Sequence, residues 1–140
     1  MLFLKSVLLP FLFLGLAPQT TTVDLSAIIK GFPSNQGTAF VAIYRKTDAF
    51  PVYGKQYLGK AIAIKNNEAR IIFTGLSVGS YAVAVYHDIN NNKVLDKNYL
   101  GIPTESYGFS NNARRTFSAP SFAEAAVVVN NSKTINITVK

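Results

Sequence analysis

Oxygen-bearing side chains recur at every second position in one short segment of the sequence. Asp88, Asn90 and Asn92 are spaced two residues apart, and Asp96 follows shortly afterwards. Side chains at the first, third, fifth and ninth places of a tightly curling loop can converge on one point, where Ca²⁺ takes six to eight oxygen ligands. The carbonyl of Val94 stands at the seventh place, which supplies a backbone ligand in such loops. The segment therefore predicts a calcium site.

Two positions depart from the twelve-residue calcium loop that this spacing resembles. Lys93 occupies the sixth place, usually glycine, and Tyr99 occupies the twelfth, usually a glutamate that binds through both oxygens. Glu105, further along the chain, is expected to supply the missing carboxylate. With few carboxylates and nearby lysines, the expected dissociation constant is roughly 10⁻⁴ to 10⁻³ M. The alternative is a metal-free turn whose Asp and Asn side chains bond to their own backbone.

The single histidine, His87, directly precedes this segment and indicates a second kind of chemistry. Histidine titrates near neutral pH, so His87 with Glu105 or Asp96 as acid and base defines an alternative function, a hydrolase acting on a cell-envelope polymer or lipid. Neighbouring residues on a strand point to opposite faces, however, so His87 and Asp88 are not expected to pair. No serine lies in a nucleophile-elbow context, which favours a non-catalytic protein.

Elsewhere apolar residues alternate with period two, are rich in Val, Ile, Tyr and Phe, and are interrupted by turn residues. This pattern predicts an all-β fold, a single antiparallel β-sandwich of Ig-like or transthyretin-like (Cna-B-like) topology. Asn66 and Asn67 suit a two-residue hairpin turn. Seven strands are predicted, at residues 23–30, 38–45, 56–64, 68–74, 80–87, 123–129 and 134–140.

A long loop follows the fifth predicted strand, at residues 88–122, and contains no convincing strand. Loops beyond about 15 residues are uncommon in compact domains and are usually either functional or disordered. This one carries too many aromatic and aliphatic residues for a solvated linker, and we expect Tyr107 and Phe109 to pack it against the sandwich. An ion bound in its first turn would lower the entropy cost of ordering the rest.

The start of the chain has the pattern of an export signal. Lys5 provides a positive charge, residues 6–16 are almost wholly apolar, and small residues stand at Gly15 and Ala17. We expect a signal peptide at residues 1–19 and a sandwich domain at residues 20–140, exported to the periplasm or secreted. An uncleaved anchor is the alternative, although the apolar run is shorter than the about 20 residues that span a bilayer. No transmembrane segment is expected in the mature chain.

Composition limits the partners. The chain has no cysteine, so burial and a bound ion, rather than disulfides, must hold an exported domain together. The net charge of +7 favours an anionic envelope polymer, or a protein, as partner. Its lysines and arginines are scattered, which argues against nucleic acid.

Taken in order, the motifs resemble those of DUF2141, a bacterial family of exported proteins of unknown function. They are the HDxNxN element from His87, the GxPxExYGFSNN element from Gly101 and the PSF element from Pro120. The resemblance implies an exported or periplasmic β-sandwich, with Lys93 standing where members commonly have glycine. The DxNxN element is also similar to calcium loops in bacterial surface modules, an analogy that concerns fold and does not establish function. A metal-free structural interaction domain is the remaining alternative.

Overall fold

The computed structural model describes residues 15, 17 and 19–140. The predicted signal peptide therefore lies, apart from residues 15, 17 and 19, outside the described residues. Within that part of the chain no helix is both long enough and apolar enough to cross a membrane. The strands are β1 (Thr22–Lys30), β2 (Thr38–Arg45), β3 (Leu58–Ala63), β4 (Glu68–Ser77), β5 (Gly79–Asp88), β6 (Tyr107–Phe109), β7 (Val127–Val129) and β8 (Lys133–Thr138). A 3₁₀ turn covers Ser110–Asn112, and a one-turn helix, α1, covers Phe122–Ala125.

Two sheets form the sandwich, which confirms the predicted all-β fold. One sheet has the order β4-β1-β8, and the other has the order β3-β2-β5-β6. The short strand β7 also pairs with β5, at the beginning of β5, whereas β6 pairs with β5 near the end of β5. One pairing departs from the predicted antiparallel arrangement, because β8 runs parallel to β1 from Leu25↔Lys133 to Lys30↔Thr138.

The predicted strands and the observed ones differ mainly after β5. Residues 123–129, predicted as one strand, form α1 followed by β7. Helix α1 begins there because Ser121 and Glu124 form a reciprocal capping box. The long loop also contains β6, which adds one strand to the seven predicted. It is only three residues long, so it shows no alternation that a sequence pattern could reveal.

The core lies between the sheets and is formed by alternate residues of the long strands. In β1 the buried positions are Val23, Leu25, Ala27 and Ile29, as the pleat of a half-buried strand requires. The chain passes from β3 in one sheet to β4 in the other through a tight turn at Asn66 and Asn67, whose φ angles are 53° and 58°. Positive φ at both central residues is the two-residue turn predicted from this asparagine pair, but β3 and β4 do not form the predicted hairpin, because only Lys65 and Glu68 bridge across the turn before the strands join different sheets.

Part of the outer face of the five-stranded sheet is also covered by other segments of the chain. A second, smaller cluster forms there around Ala82, Phe109 and Ala125, with Phe50 and Phe122 packed against it. Phe109 is 8% exposed, which confirms that this aromatic packs the long loop against the sandwich. Burial on both faces explains why β2 and β5 are apolar along most of their length rather than alternating.

Candidate functional site

The turn predicted to bind calcium begins where β5 ends. Asp88 is the last residue of β5 and pairs with Thr38, the first residue of β2. Gly37 precedes Thr38 with a φ angle of +70°, and a Cβ atom there would collide with the carbonyl oxygen of Asp88. Only glycine fits this close approach of two backbones. The beginning of the turn is therefore held firmly at one end of the sandwich.

Asp88 closes the first part of the turn with its carboxylate. Its side chain is buried, with the residue 3% exposed. Oδ1 accepts the backbone N–H of Asn92 at 3.0 Å, and Oδ2 accepts the backbone N–H of Lys93 at 2.9 Å. These bonds curl the chain so that the side chains at alternate positions face the same interior.

Three further side chains converge on that interior. The Oδ1 atom of Asn90 accepts the N–H of Asn92 at 3.1 Å, and the Oδ1 atom of Asn92 accepts the N–H of Val94 at 2.9 Å. The Nδ2 groups of Asn90 and Asn92 both donate to Asp96, at 2.7 Å and 2.9 Å respectively. The two amides thus hold both carboxylate oxygens of Asp96.

Glu105 fastens the two ends of the turn together. It is 7% exposed. Its Oε1 atom accepts the N–H of Ile89 at 2.9 Å, and its Oε2 atom accepts the N–H of Asp96 at 3.0 Å. The structure therefore links all five predicted side-chain ligands in one hydrogen-bonded unit, and Val94 joins it through its backbone N–H.

Lys93 adopts the conformation that its position in the loop demands. Its φ angle is +65°, in the left-handed region. Residues other than glycine and asparagine rarely adopt this backbone conformation, because it costs them roughly 1–2 kcal/mol. The sharp turn at the sixth place therefore forms even though the residue there is not glycine.

The carboxylates of this turn lack a cationic partner among the described residues. The four salt bridges of residues 19–140 involve Glu68, Asp48 and Glu124, and none involves the turn. In the same part of the chain no three His, Asp or Glu side chains form a metal-binding group. The side chains gathered in the turn carry carboxylate and amide oxygens, which are among the ligands that hard cations such as Ca²⁺ take in proteins.

His87 lies on the opposite face of β5 and belongs to the core. It is fully buried, its ring meets Phe32 edge to face at 5.3 Å, and its Nε2 atom is 2.6 Å from the carbonyl oxygen of Gln36. Because a carbonyl only accepts, Nε2 carries the proton. No hydrogen bond joins His87 to Glu105 or Asp96 within the described residues. The geometry thus offers no acid–base pair of the kind that the hydrolase alternative requires.

A wide groove adjoins the turn on the outer face of the five-stranded sheet. Its volume is about 980 Å³. Its floor is formed by β2 and β5, including Ala42 and Ala84, and its walls are residues 51–53 of the β2–β3 connection and parts of residues 94–119. The wall includes Val94, Leu95 and Lys97, so the end of the turn is also one side of the groove.

Tyr86 lies between the turn and the groove. Its ring lines the groove and contacts Phe40, with ring centroids 5.3 Å apart. Its hydroxyl is buried and has no hydrogen-bond partner in the part of the chain that is described. Burial raises the pKa of Tyr86, and the nearby groups of Tyr53, Asp88 and Glu105 raise it further.

Sequence reasoning missed this groove. A signal was present, because Phe40, Ala42 and Tyr44 alternate with Val41 and Ile43 to give a strand that is apolar on both faces. Such a strand must be covered on both sides. The long loop provides only part of that cover, and the uncovered remainder is the groove.

A family model described as an uncharacterized protein conserved in bacteria, DUF2141, matches residues 28–137. The chain belongs to the DUF2141 family. This match confirms the family resemblance noted in the motifs. No curated protein and no solved structure matches the chain. The DUF2141 match begins within β1 and ends within β8, so it includes both the turn and the groove.

Proposed function

We propose that this DUF2141 protein is an exported, non-catalytic sandwich module that binds Ca²⁺ and presents a shaped surface to a ligand or partner. The cation is held by oxygens of one turn and of the segment that fastens it, namely those of Asp88, Asn90, Asn92, the Val94 carbonyl, Asp96 and Glu105.

One observation carries this proposal: two buried carboxylates and a third, partly buried one share a turn in which no described lysine or arginine pairs with them. Burying negative charge is costly unless hydrogen bonds or cations compensate it. Backbone N–H groups compensate Asp88 and Glu105 in part. A divalent cation supplies the remaining compensation.

The hydrogen bonds already present are compatible with a bound ion. A carboxylate has about four lone-pair positions and an amide oxygen has two, so an oxygen that accepts one N–H can still bind a cation. The bonds from Asn90 and Asn92 to Asp96 are the ones that an ion bound by Asp96 replaces.

Thermal unfolding in calcium and in chelator tests the site. With a dissociation constant of about 1 mM, about 10 mM Ca²⁺ stabilises the folded state by roughly 1.4 kcal/mol. That corresponds to a rise in melting temperature of roughly 3–6 °C for a domain of this size. Mg²⁺ at the same concentration should give a smaller rise, because it demands a stricter octahedral geometry. An unchanged melting temperature in Ca²⁺ contradicts the proposal.

The Asp96→Asn variant separates calcium binding from turn structure. It removes a charge and one of the two exposed hydrogen bonds that Asp96 accepts from Asn90 and Asn92. The melting temperature in chelator should therefore fall only slightly, while calcium affinity falls about tenfold. Asp24→Asn is the matched control, because it removes the charge of another partly buried carboxylate that accepts a hydrogen bond, from the backbone N–H of Gly75, but lies on β1. If the two variants respond equally to Ca²⁺, the ion does not bind in this turn.

Export is tested by the mature terminus. We expect the protein recovered from outside the cytoplasm to begin near residue 20, which N-terminal sequencing or intact mass measures. Recovery of the intact chain in the membrane fraction would instead favour the uncleaved anchor.

A specific observation also supports the metal-free interaction domain. Val94 is 57% exposed and Phe117 is 99% exposed, and both line the groove; large exposed apolar side chains that share one surface mark binding sites. If calcium has no effect on stability, this second candidate is the one that remains.

A further inference from the structure

The geometry points to a ligand for the groove: we propose that it binds a single-chain amphiphile, an apolar chain that ends in one anionic group. This inference specifies the ligand of the proposed binding module and rests on that module role, but it does not require calcium. The source proposed is the free, monomeric amphiphile rather than a membrane.

The shape of the groove favours a small apolar molecule. Ala42 and Ala84 face each other across β2 and β5, and their small side chains leave depth between the rings of Phe40, Tyr44 and Tyr86. The volume of about 980 Å³ lies at the upper end of the roughly 300–1,000 Å³ range of small-molecule sites. An elongated apolar chain fills such a trough, whereas a flat lipid surface does not.

The charge at the rim selects an anion. Among residues 19–140, the only charged side chains that line the groove are Lys97 and Arg115, and no acidic residue of that range lines it. Arg115 is paired with Glu124, with Nη2 and Oε2 2.9 Å apart. Lys97 forms no salt bridge within the described residues, so its ammonium is the group placed to meet a carboxylate or sulfonate.

The walls of the groove expose apolar side chains that a ligand would cover. Leu100 is 65% exposed and Ile102 is 55% exposed, and Phe117, which also lines the groove, is 99% exposed. Exposed aliphatic and aromatic groups that line one trough gain by enclosing an apolar chain, because the area removed from water on both partners is apolar.

Binding is tested with two probes, the fluorescent anion 1-anilinonaphthalene-8-sulfonate and a long-chain fatty acid below its micelle concentration. The purified protein should bind one fluorescent anion per chain, and the fatty acid should displace it at micromolar concentration. The corresponding fatty alcohol, which lacks the negative charge, should displace it about tenfold less well. Fatty acid and alcohol of equal potency would overturn the role of the anionic group.

Two variants locate the site. Lys97→Glu should weaken fatty-acid binding about tenfold, whereas Lys60→Glu, the same change on β3 and outside the groove, should leave it unchanged. Ala84→Leu fills the floor and should abolish binding, with a melting curve as the check on folding. If both lysine variants bind like the parent protein, the groove is not the site, whatever Ala84→Leu does.

Two further arms separate this inference from its rivals. Sedimentation with vesicles of zwitterionic and anionic phospholipid tests a membrane partner, and capture by vesicles without binding of the monomeric fatty acid overturns the proposal. Fatty-acid titrations run in chelator and in Ca²⁺ distinguish the two failures. If Ca²⁺ does not raise the melting temperature but the fatty acid still binds, only the calcium proposal is rejected. If the fatty acid binds in neither condition while Ca²⁺ still raises the melting temperature, only the amphiphile proposal is rejected.

Discussion

Lys93 stands at the sixth place of the turn, where calcium loops usually have glycine, yet the backbone still makes the sharp turn there. Its φ angle of +65° places a side chain in a conformation that suits glycine. The bond from its backbone N–H to Asp88 holds it there. Its side chain carries a positive charge on the same turn as the proposed cation, so we expect this position to affect both stability and metal affinity.

We predict that Lys93→Gly stabilises the protein by about 0.5–1 kcal/mol in chelator, because relief of the left-handed strain outweighs the greater freedom of the unfolded chain. Lys93→Ala separates backbone from charge, since it removes the ammonium but keeps the Cβ atom. Both variants should bind Ca²⁺ more tightly, but only the glycine variant should be more stable. Urea unfolding with calcium titration measures both quantities. A less stable glycine variant would contradict the conformational argument.

His87 has a structural role that its chemistry does not suggest. The ring fills the core beside Phe32 and satisfies the carbonyl of Gln36. We predict that His87→Ala destabilises the protein by about 2–4 kcal/mol, because it leaves a cavity and an unpaired buried carbonyl. Denaturant unfolding measures this loss. A variant as stable as the parent would show that the ring is not packed as described.

At the scale of elements, the one-turn helix α1 is held by electrostatics as much as by packing. Glu124 accepts the backbone N–H and the hydroxyl of Ser121 and pairs with Arg115. These bonds, first those from Ser121 and then that from Arg115, lower the pKa of Glu124 to about 2. On the other side, the buried hydroxyl of Ser110 bonds to the carbonyl of Ala125 and accepts the N–H of Val83.

The depressed pKa of Glu124 predicts a dependence of α1 stability on pH. The contribution is present above the ordinary pKa of about 4.5 and is lost as pH falls toward about 2, because the protonated carboxyl no longer accepts these bonds. The protection of the α1 amides from hydrogen exchange, taken relative to the intrinsic exchange rate at each pH, should therefore decrease as pH falls across this window in the parent protein. Glu124→Gln and Ser121→Ala should flatten this dependence, and Arg115→Gln should flatten it less. Equal pH dependence in all four proteins would contradict this assignment.

The sequence predicted most long elements because each has one strong signal. β2 is predicted at its observed bounds, and Asn66 and Asn67 mark the tight turn, although the strands on either side of it join different sheets. β6 and α1 were missed because three or four residues carry no periodicity, although Ser121 and Glu124 form a capping pattern. The parallel pairing of β1 with β8 depends on how the sheets close, which no local pattern records.

The turn and the groove differ in the same way, because the turn has a local sequence signal and the groove has only an indirect one. The convergence of Asp88, Asn90, Asn92 and Asp96 in one turn follows from their local spacing, whereas the contact of Glu105 with this turn depends on how the long loop folds back. Whether these side chains bind a cation stays a prediction. The groove is a property of tertiary packing. It arises where residues 51–53 and 94–119 leave part of β2 and β5 uncovered. The sequence signal for it is that the outer faces of these two strands are apolar.

At the scale of the whole molecule, the turn and the groove share a segment. Val94, Leu95 and Lys97 stand on one wall of the groove, while Asp96 belongs to the turn. An ion that orders the turn therefore also orders that wall. The two proposed ligands should favour each other, since coupling between sites is reciprocal.

We predict that saturating Ca²⁺ strengthens fatty-acid binding about threefold to tenfold, and that the fatty acid strengthens calcium binding by the same factor. Calorimetric titration of each ligand in the presence of the other measures both factors. Asp96→Asn should remove the coupling while leaving fatty-acid affinity at its value in chelator. Equal affinities in calcium and in chelator would show that the shared segment does not transmit the effect.

The direction of β1 determines how the molecule can be attached to a support. Thr22 pairs with Ser77 at one end of the sandwich, and Lys30, eight residues along at about 3.3 Å each, reaches the end that holds Asp88. Lys140 exchanges backbone bonds with Tyr107 at that same end. Immobilisation through residues before Thr22 thus leaves the turn pointing away from the support, by roughly 26 Å, whereas a tag after Lys140 would crowd it.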